Sequence, residues 1–153
     1  LPTIAFPANG TITPAEIIEI GSPLLVLERS LRRDSGGAGR NRGGLGQTIR
    51  LGCARNARLS LTIRPDKIRF PAPGLAGGLP GSPGELTLAD QHLALEPFDL
   101  TPGQVVTMKL PGGGGLGDPL EREPDALRRD VEQGFVSIEA ARDLYGFEQP
   151  ANE

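Results

Sequence analysis

Among its 153 residues the chain has no tryptophan, one tyrosine, one cysteine, one histidine and one methionine. Each scarcity removes a class of function. With aromatics at 4%, there is no stacking platform of the kind that holds single-stranded nucleic acid. The lone Cys53 forms no internal disulfide and suits a reducing, cytoplasmic setting. One Cys and one His cannot build a Cys/His zinc site, so a metal would need carboxylates or a partner chain. No apolar run approaches the roughly 20 residues of a membrane span. A net charge of −3 and a pI near 5.3 give no pull towards DNA or acidic lipid. Neither nucleic acid nor membrane is therefore expected as a partner. Leu1-Pro2-Thr3 offers no Met and no basic, apolar leader, and reads as a cut point in a longer chain.

Glycine and proline are what the chain has in plenty, with 22 and 15 residues. That approaches the range of low-complexity segments. The apolar residues nevertheless fall in short alternating runs, which argues for folding. Strands are expected at residues 23–31, 47–51, 58–63, 85–88, 93–95 and 104–110. In the third, Leu59, Leu61 and Ile63 face one way, the period of a half-buried antiparallel strand. The linker 52–57 is short enough to join its flanking strands as a hairpin. Residues 14–20 read equally well as a helix capped by Thr13 or as a strand from Ile17. Prolines at 65, 71, 73, 80 and 83 leave residues 64–83 as one long irregular loop.

After residue 122 the pattern turns helical. Pro124 suits a first turn, Leu127 and Val131 share a face, and Gly134 ends the helix. Ser137 caps a second helix, Val136 and Ala141 form a staple, and Gly146 terminates it. The expected fold is mainly β: an antiparallel β-sandwich or barrel-like domain with long Gly/Pro-rich loops and a C-terminal helical hairpin. Residues 1–122 would form the β-domain with its N-terminal arm, 123–147 the hairpin packed on it, and 148–153 a frayed tail.

Residues 32–47, R-R-D-S-G-G-A-G-R-N-R-G-G-L-G-Q, carry six glycines and four arginines. The glycine N–H groups of Gly36, Gly37 and Gly39 could form an anion-binding nest, with Ser35 beside it and Arg40 and Arg42 as a clamp. The competing reading, which we favour, is a rigid loop whose arginines pair with acids on another chain or domain. Residues 112–117, with Gly113 and Gly114, echo it. They satisfy G-x-G-x-x-G, but no helix follows directly and too little chain remains for a returning strand, so a dinucleotide site is disfavoured. Neither run continues into Gly-Lys-Ser/Thr, which excludes a Walker loop. The glycines then serve close backbone approach to each other, to a neighbouring subunit or to a ligand. His92 beside Asp90 reads as a surface turn, Cys53 as a packed residue, and Asp118, Glu121 and Glu123 as loop and cap residues. No catalytic residue and no metal ligand is assignable.

Four stretches in order carry a resemblance: residues 32–46; R-F-P-A-P-G-L-A-G-G-L-P-G at 69–81; L-P-G-G-G-G-L-G-D-P-L-E-R at 110–122; and D-V-E-Q-G-F-V-S-I-E-A-A-R-D-L-Y-G at 130–146. Together they resemble the C-terminal region of the hydantoinase B/oxoprolinase family. The resemblance implies a subunit several times longer than this chain, working with a hydantoinase A-type subunit or domain in a hetero-oligomer. Such complexes open cyclic amides such as 5-oxoproline or hydantoins at the expense of ATP, and related ones carboxylate ketones. ATP and a divalent metal are implied for the full complex, none for this chain. The missing N-terminal part of the subunit would hold most of the catalytic centre. A non-catalytic assembly or docking domain is the alternative.

Overall fold

A computed structural model describes residues 13–64, 67–93 and 96–147. A short helix, α1 (Ala15–Gly21), leads into β1 (Leu24–Leu31) and β2 (Gln47–Cys53). Then follow β3 (Leu59–Leu61), β4 (Glu85–Leu88), β5 (Gln91–His92), β6 (Phe98–Leu100) and β7 (Val105–Lys109). A 3-10 turn (Pro119–Glu121) precedes α2 (Pro124–Glu132) and α3 (Ile138–Tyr145).

Five strands form one antiparallel sheet in the order β1-β2-β7-β4-β5, and β3 pairs with β6 in a second, two-stranded sheet. Alternation sorts the large sheet's faces. Leu51 and Val106 are cross-strand partners on the inner face, and Met108 pairs with Leu86 beside them. The small sheet covers that face with Leu59, Leu61, Phe98 and Leu100, and Cys53 closes the core. The opposite face carries charge pairs, Arg50 with Glu28 and Lys109 with Glu85 at 2.8 Å, beside the exposed Leu25 and Leu27 of β1. This is a small, open sandwich; among the described residues the large sheet keeps two free edges and does not close into a barrel.

Several expected elements are corrected. The 52–57 linker does not make a hairpin. It turns back on itself, with Ala57 N–H donating to Ala54 O and Cys53 Sγ to Ala57 O, and delivers β3 to the other sheet. Burial decides this: Leu59 and Leu61 cover the inner face only from the second layer. The strand expected at 93–95 lies two residues earlier, at Gln91–His92, and residues 94–95 fall outside the described part. Ala89 and Asp90, at φ of 47° and 64°, supply the left-handed pair that a tight hairpin with the right twist requires. The strand at Phe98–Leu100 is not signalled by the sequence, because three residues show too little alternation. At the start, the helix prevails over the strand, but Pro14 rather than Thr13 is its N-cap and no described side chain caps it.

The two C-terminal helices follow their capping signals. Pro124 opens α2, and Ser137 Oγ accepts from Ala140 N–H at 3.0 Å to open α3. Gly146, at φ 65°, returns its N–H to Arg142 O. Their inner faces bury Leu127, Ala141 and Tyr145, with Val136 of the connecting loop, around Ala38, which the glycine segment contributes to this second core.

Candidate functional site

Three irregular segments, residues 35–46, 72–82 and 111–117, lie against one another and bond through their backbones. Gly37 N–H donates to Gly113 O (2.8 Å), Gly113 N–H to Gly44 O (2.9 Å) and Gly115 N–H to Leu79 O (2.9 Å). Leu79 N–H donates to Ala38 O (2.7 Å), and Asn41 and Leu116 exchange both bonds at 2.9 Å. The proline-rich loop is therefore the third layer of a block whose other layers are the two glycine runs. Contact is so close that a Cβ at Gly39 would meet Leu116 N at 2.6 Å, and one at Gly81 would meet Gly112 O at 2.5 Å. Extended chains with side chains cannot stack this tightly. Without side chains, backbone atoms pack directly and their polar groups find partners on neighbouring segments.

Side chains pin the block at its ends. Ser35 is fully buried; its Oγ donates to Arg32 O and accepts from Gly46 N–H at 2.8 Å. That hydroxyl is a latch and is not presented to a ligand. Asp34, in the left-handed region at φ 56°, accepts Ser137 N–H on Oδ1 at 2.8 Å and ties the block to the start of α3.

Between block and helices lies a buried charge cluster. Arg42 Nε and Nη2 reach the two Asp130 oxygens at 3.0 and 3.3 Å, and Arg122 Nη2 reaches Oδ2 at 2.5 Å. Arg42 stacks over Phe135 and Arg122 over Tyr145, with centroid distances of 5.6 and 5.9 Å. Arg122 Nη1 also donates to Arg40 O at 3.1 Å. The three side chains are only 10–15% exposed.

Burial raises the Tyr145 phenol above its ordinary value, outweighing the opposing pull of Arg122 and Arg42. A pKa raised on folding contributes stability that is complete below the unfolded value of about 10 and is lost as pH climbs through the folded one. Above pH 10, unfolding free energy should therefore fall more steeply for the native chain than for Tyr145→Phe. Parallel urea titrations across that range would show it, and identical slopes would refute it.

The eight residues singled out from sequence are distributed as follows. Gly36, Gly37, Gly39, Gly113 and Gly114 face neighbouring backbone within the block. Ser35 is the latch. Arg42 pairs with Asp130, an acid of the helical hairpin of the same chain. Arg40 is 57% exposed and 3.5 Å from Glu121. Ser35, Arg40 and Arg42 thus do not converge on a common anion-sized space. His92 is exposed, and Asp118 caps the 3-10 turn by accepting Leu120 N–H. Among the described residues no three His, Cys, Asp or Glu side chains are placed to hold a metal.

Sequence reasoning missed Asp130 and Arg122. A signal existed for the first: Asp130 sits three residues after Leu127 and next to Val131, a carboxylate on an apolar helix face.

The sequence model of the hydantoinase B/oxoprolinase family matches residues 3–119. The chain belongs to this family. It is 40% identical over 134 residues to an uncharacterised protein of Methanocaldococcus jannaschii, covering 84% of this chain and 23% of the relative. It is 35% identical over 141 residues to the beta subunit of the caprolactamase of Pseudomonas jessenii, covering 86% and 24%. Against the B subunit of a putative D-/L-hydantoinase from a Pseudomonas species it is 31% identical over 147 residues, covering 91% and 24%. The crystal structure of an ATP-dependent caprolactamase from Pseudomonas jessenii superposes with a TM-score of 0.74 at 32% identity, over 92% of this chain and 26% of that one. This family member therefore spans about a quarter of the length of the curated relatives it matches.

Proposed function

We propose that this chain is the C-terminal domain of the B-type subunit of an ATP-dependent cyclic-amide hydrolase. In complex with an A-type subunit, the whole subunit would open a hydantoin, oxoproline or lactam ring with ATP hydrolysis in the cytoplasm. The observation that carries this reading is the match to B-type and beta subunits across most of the chain, glycine block included. Within the subunit the block acts as a rigid floor. Its backbone groups are joined to one another, and Ser35 and Arg42 are held by their own chain, so the reacting groups come from the rest of the complex. ATP and a divalent metal belong to that complex.

The test is reconstitution of the full-length subunit with its A-type partner, assayed for ADP and ring-opened product on 5-oxoproline, hydantoin and caprolactam. ATP-dependent ring opening of at least one is expected. Turnover of none would refute the reading, and ATP-dependent incorporation of bicarbonate into a ketone would place the chain in a carboxylase instead.

One observation favours a docking role alongside it. α1 lies along β1, and the pair leaves Ile17, Ile20, Leu25 and Leu27 exposed, while Phe70 and Leu75 stand out from the proline-rich loop. The glycine–arginine segment, by contrast, is largely covered by its own chain. Contact with the A-type subunit or with the rest of the B-type subunit would then run through these apolar side chains.

A further inference from the structure

The buried charge cluster does not balance. Two guanidinium groups, Arg42 and Arg122, share the single Asp130 carboxylate. Arg122 Nε is buried and has no hydrogen-bond partner among the described residues. Leaving a buried donor unmatched and a buried cation under-compensated is costly.

Arg122 also lines a cleft of about 320 Å³ between the 3-10 turn, the start of α2 and the end of α3. The cleft's other cation is Arg128, held at the rim by Asp125 at 2.7 Å. Among the described residues no carboxylate lines it, and Leu120, Pro124, Leu127 and Phe147 supply an apolar side to its otherwise polar wall. Pro124, the first residue of α2, also lines it. The volume lies at the lower end of the range of small-molecule sites.

We propose that this cleft binds a small organic monocarboxylate, with its carboxylate towards Arg122 and Arg128 and its apolar body on Leu120, Leu127 and Phe147. The charge match fixes the class. A neutral ligand leaves the extra cation uncompensated, and a multiply charged inorganic anion leaves the apolar wall unused. The cleft is built from residues of this chain alone and stands apart from the function proposed above.

The experiment is an amide-resolved NMR titration of the isotope-labelled protein with hexanoate, with hexan-1-ol and inorganic phosphate as controls. Hexanoate should give saturable shifts confined to residues 120–128 and 145–147, with millimolar affinity, and the controls should be much weaker. Leu120 is 70% exposed at the rim, so Leu120→Glu leaves the core intact while placing a like charge in the cleft. It should weaken hexanoate binding by about tenfold or more. Arg128→Gln should weaken it by a smaller factor. No saturable shift, or equal affinity in Leu120→Glu, would overturn the proposal. Hexanol binding as well as hexanoate would reduce the cleft to an apolar groove, and phosphate binding as well would reduce it to a general anion contact; either result also overturns it.

Discussion

Asp130→Ala should destabilise the protein by about 3–5 kcal/mol, the range for stranding buried charge. Two buried guanidinium groups depend on this one carboxylate, so its loss leaves both uncompensated. Arg42→Ala should cost less, about 1–3 kcal/mol, although it removes more atoms. It deletes three hydrogen bonds, two to Asp130 and one to Gly43 O, and the stacking on Phe135, but leaves a neutral Arg122–Asp130 pair. Asp130→Asn keeps the shape and one acceptor and separates charge from packing; it should fall between the two. Urea unfolding of the four proteins gives the order directly. If Arg42→Ala proved as damaging as Asp130→Ala, shape and not charge would hold the hairpin to the block. Arg42 is also a poor candidate for a ligand contact: releasing it to bind something else would break its two hydrogen bonds to Asp130 and its stacking on Phe135.

The second large effect is expected at the glycines, and it should differ sharply between neighbours. A Cβ at Gly112 would collide with Ser35 O, and one at Gly114 with Pro73 O, both far inside van der Waals contact. The atoms in the way are backbone carbonyls, which cannot rotate aside as a side chain can. Gly112→Ala and Gly114→Ala should therefore cost about 3 kcal/mol or more, at or beyond the top of the usual overpacking range. At Gly113, between them, the nearest atom to a Cβ is Gly44 N at 3.2 Å. Gly113→Ala should stay within about 1 kcal/mol of the native protein, because a small local shift relieves that contact. Gly21, at the end of α1, has nothing within 4 Å, so Gly21→Ala should be neutral or stabilising by up to about 1 kcal/mol through helix propensity. Thermal and urea unfolding of this set would test the block directly. Equal tolerance at 112, 113 and 114 would mean the segments are not packed backbone to backbone.

The features behind these effects are unequally visible in the sequence. The helical hairpin is legible because its signals are local: Pro124, Ser137, Gly134 and Gly146 each act on the turn in which they stand. The long strands β1, β2 and β7 are legible because alternation over five residues or more identifies a face. The short strands β5 and β6 are not, since two or three residues hold no period and their pairing depends on what they meet. The wrongly expected hairpin across residues 52–57 has the same origin. Loop length allowed it, but the need to cover Leu51, Leu86 and Val106 sent β3 to a second layer.

The candidate site divides in the same way. Two glycine runs that demand close approach can be recognised in the chain, as can the family to which their order belongs. What they approach is each other and a third, proline-rich segment, and that is set by contacts between positions as far apart as Gly37 and Gly113. The ownership of Arg42 is likewise a tertiary fact, since Asp130 lies 88 residues away. By itself the sequence determined the β-rich class, the helix ends and the absence of long side chains where backbones must meet. Only the tertiary structure decided which backbones meet, which arginine is spent on a buried aspartate and which lines an open cleft. The reason is physical: capping and alternation act within a few residues, whereas burial, charge compensation and hydrogen-bond satisfaction are settled by whatever the folded chain brings alongside.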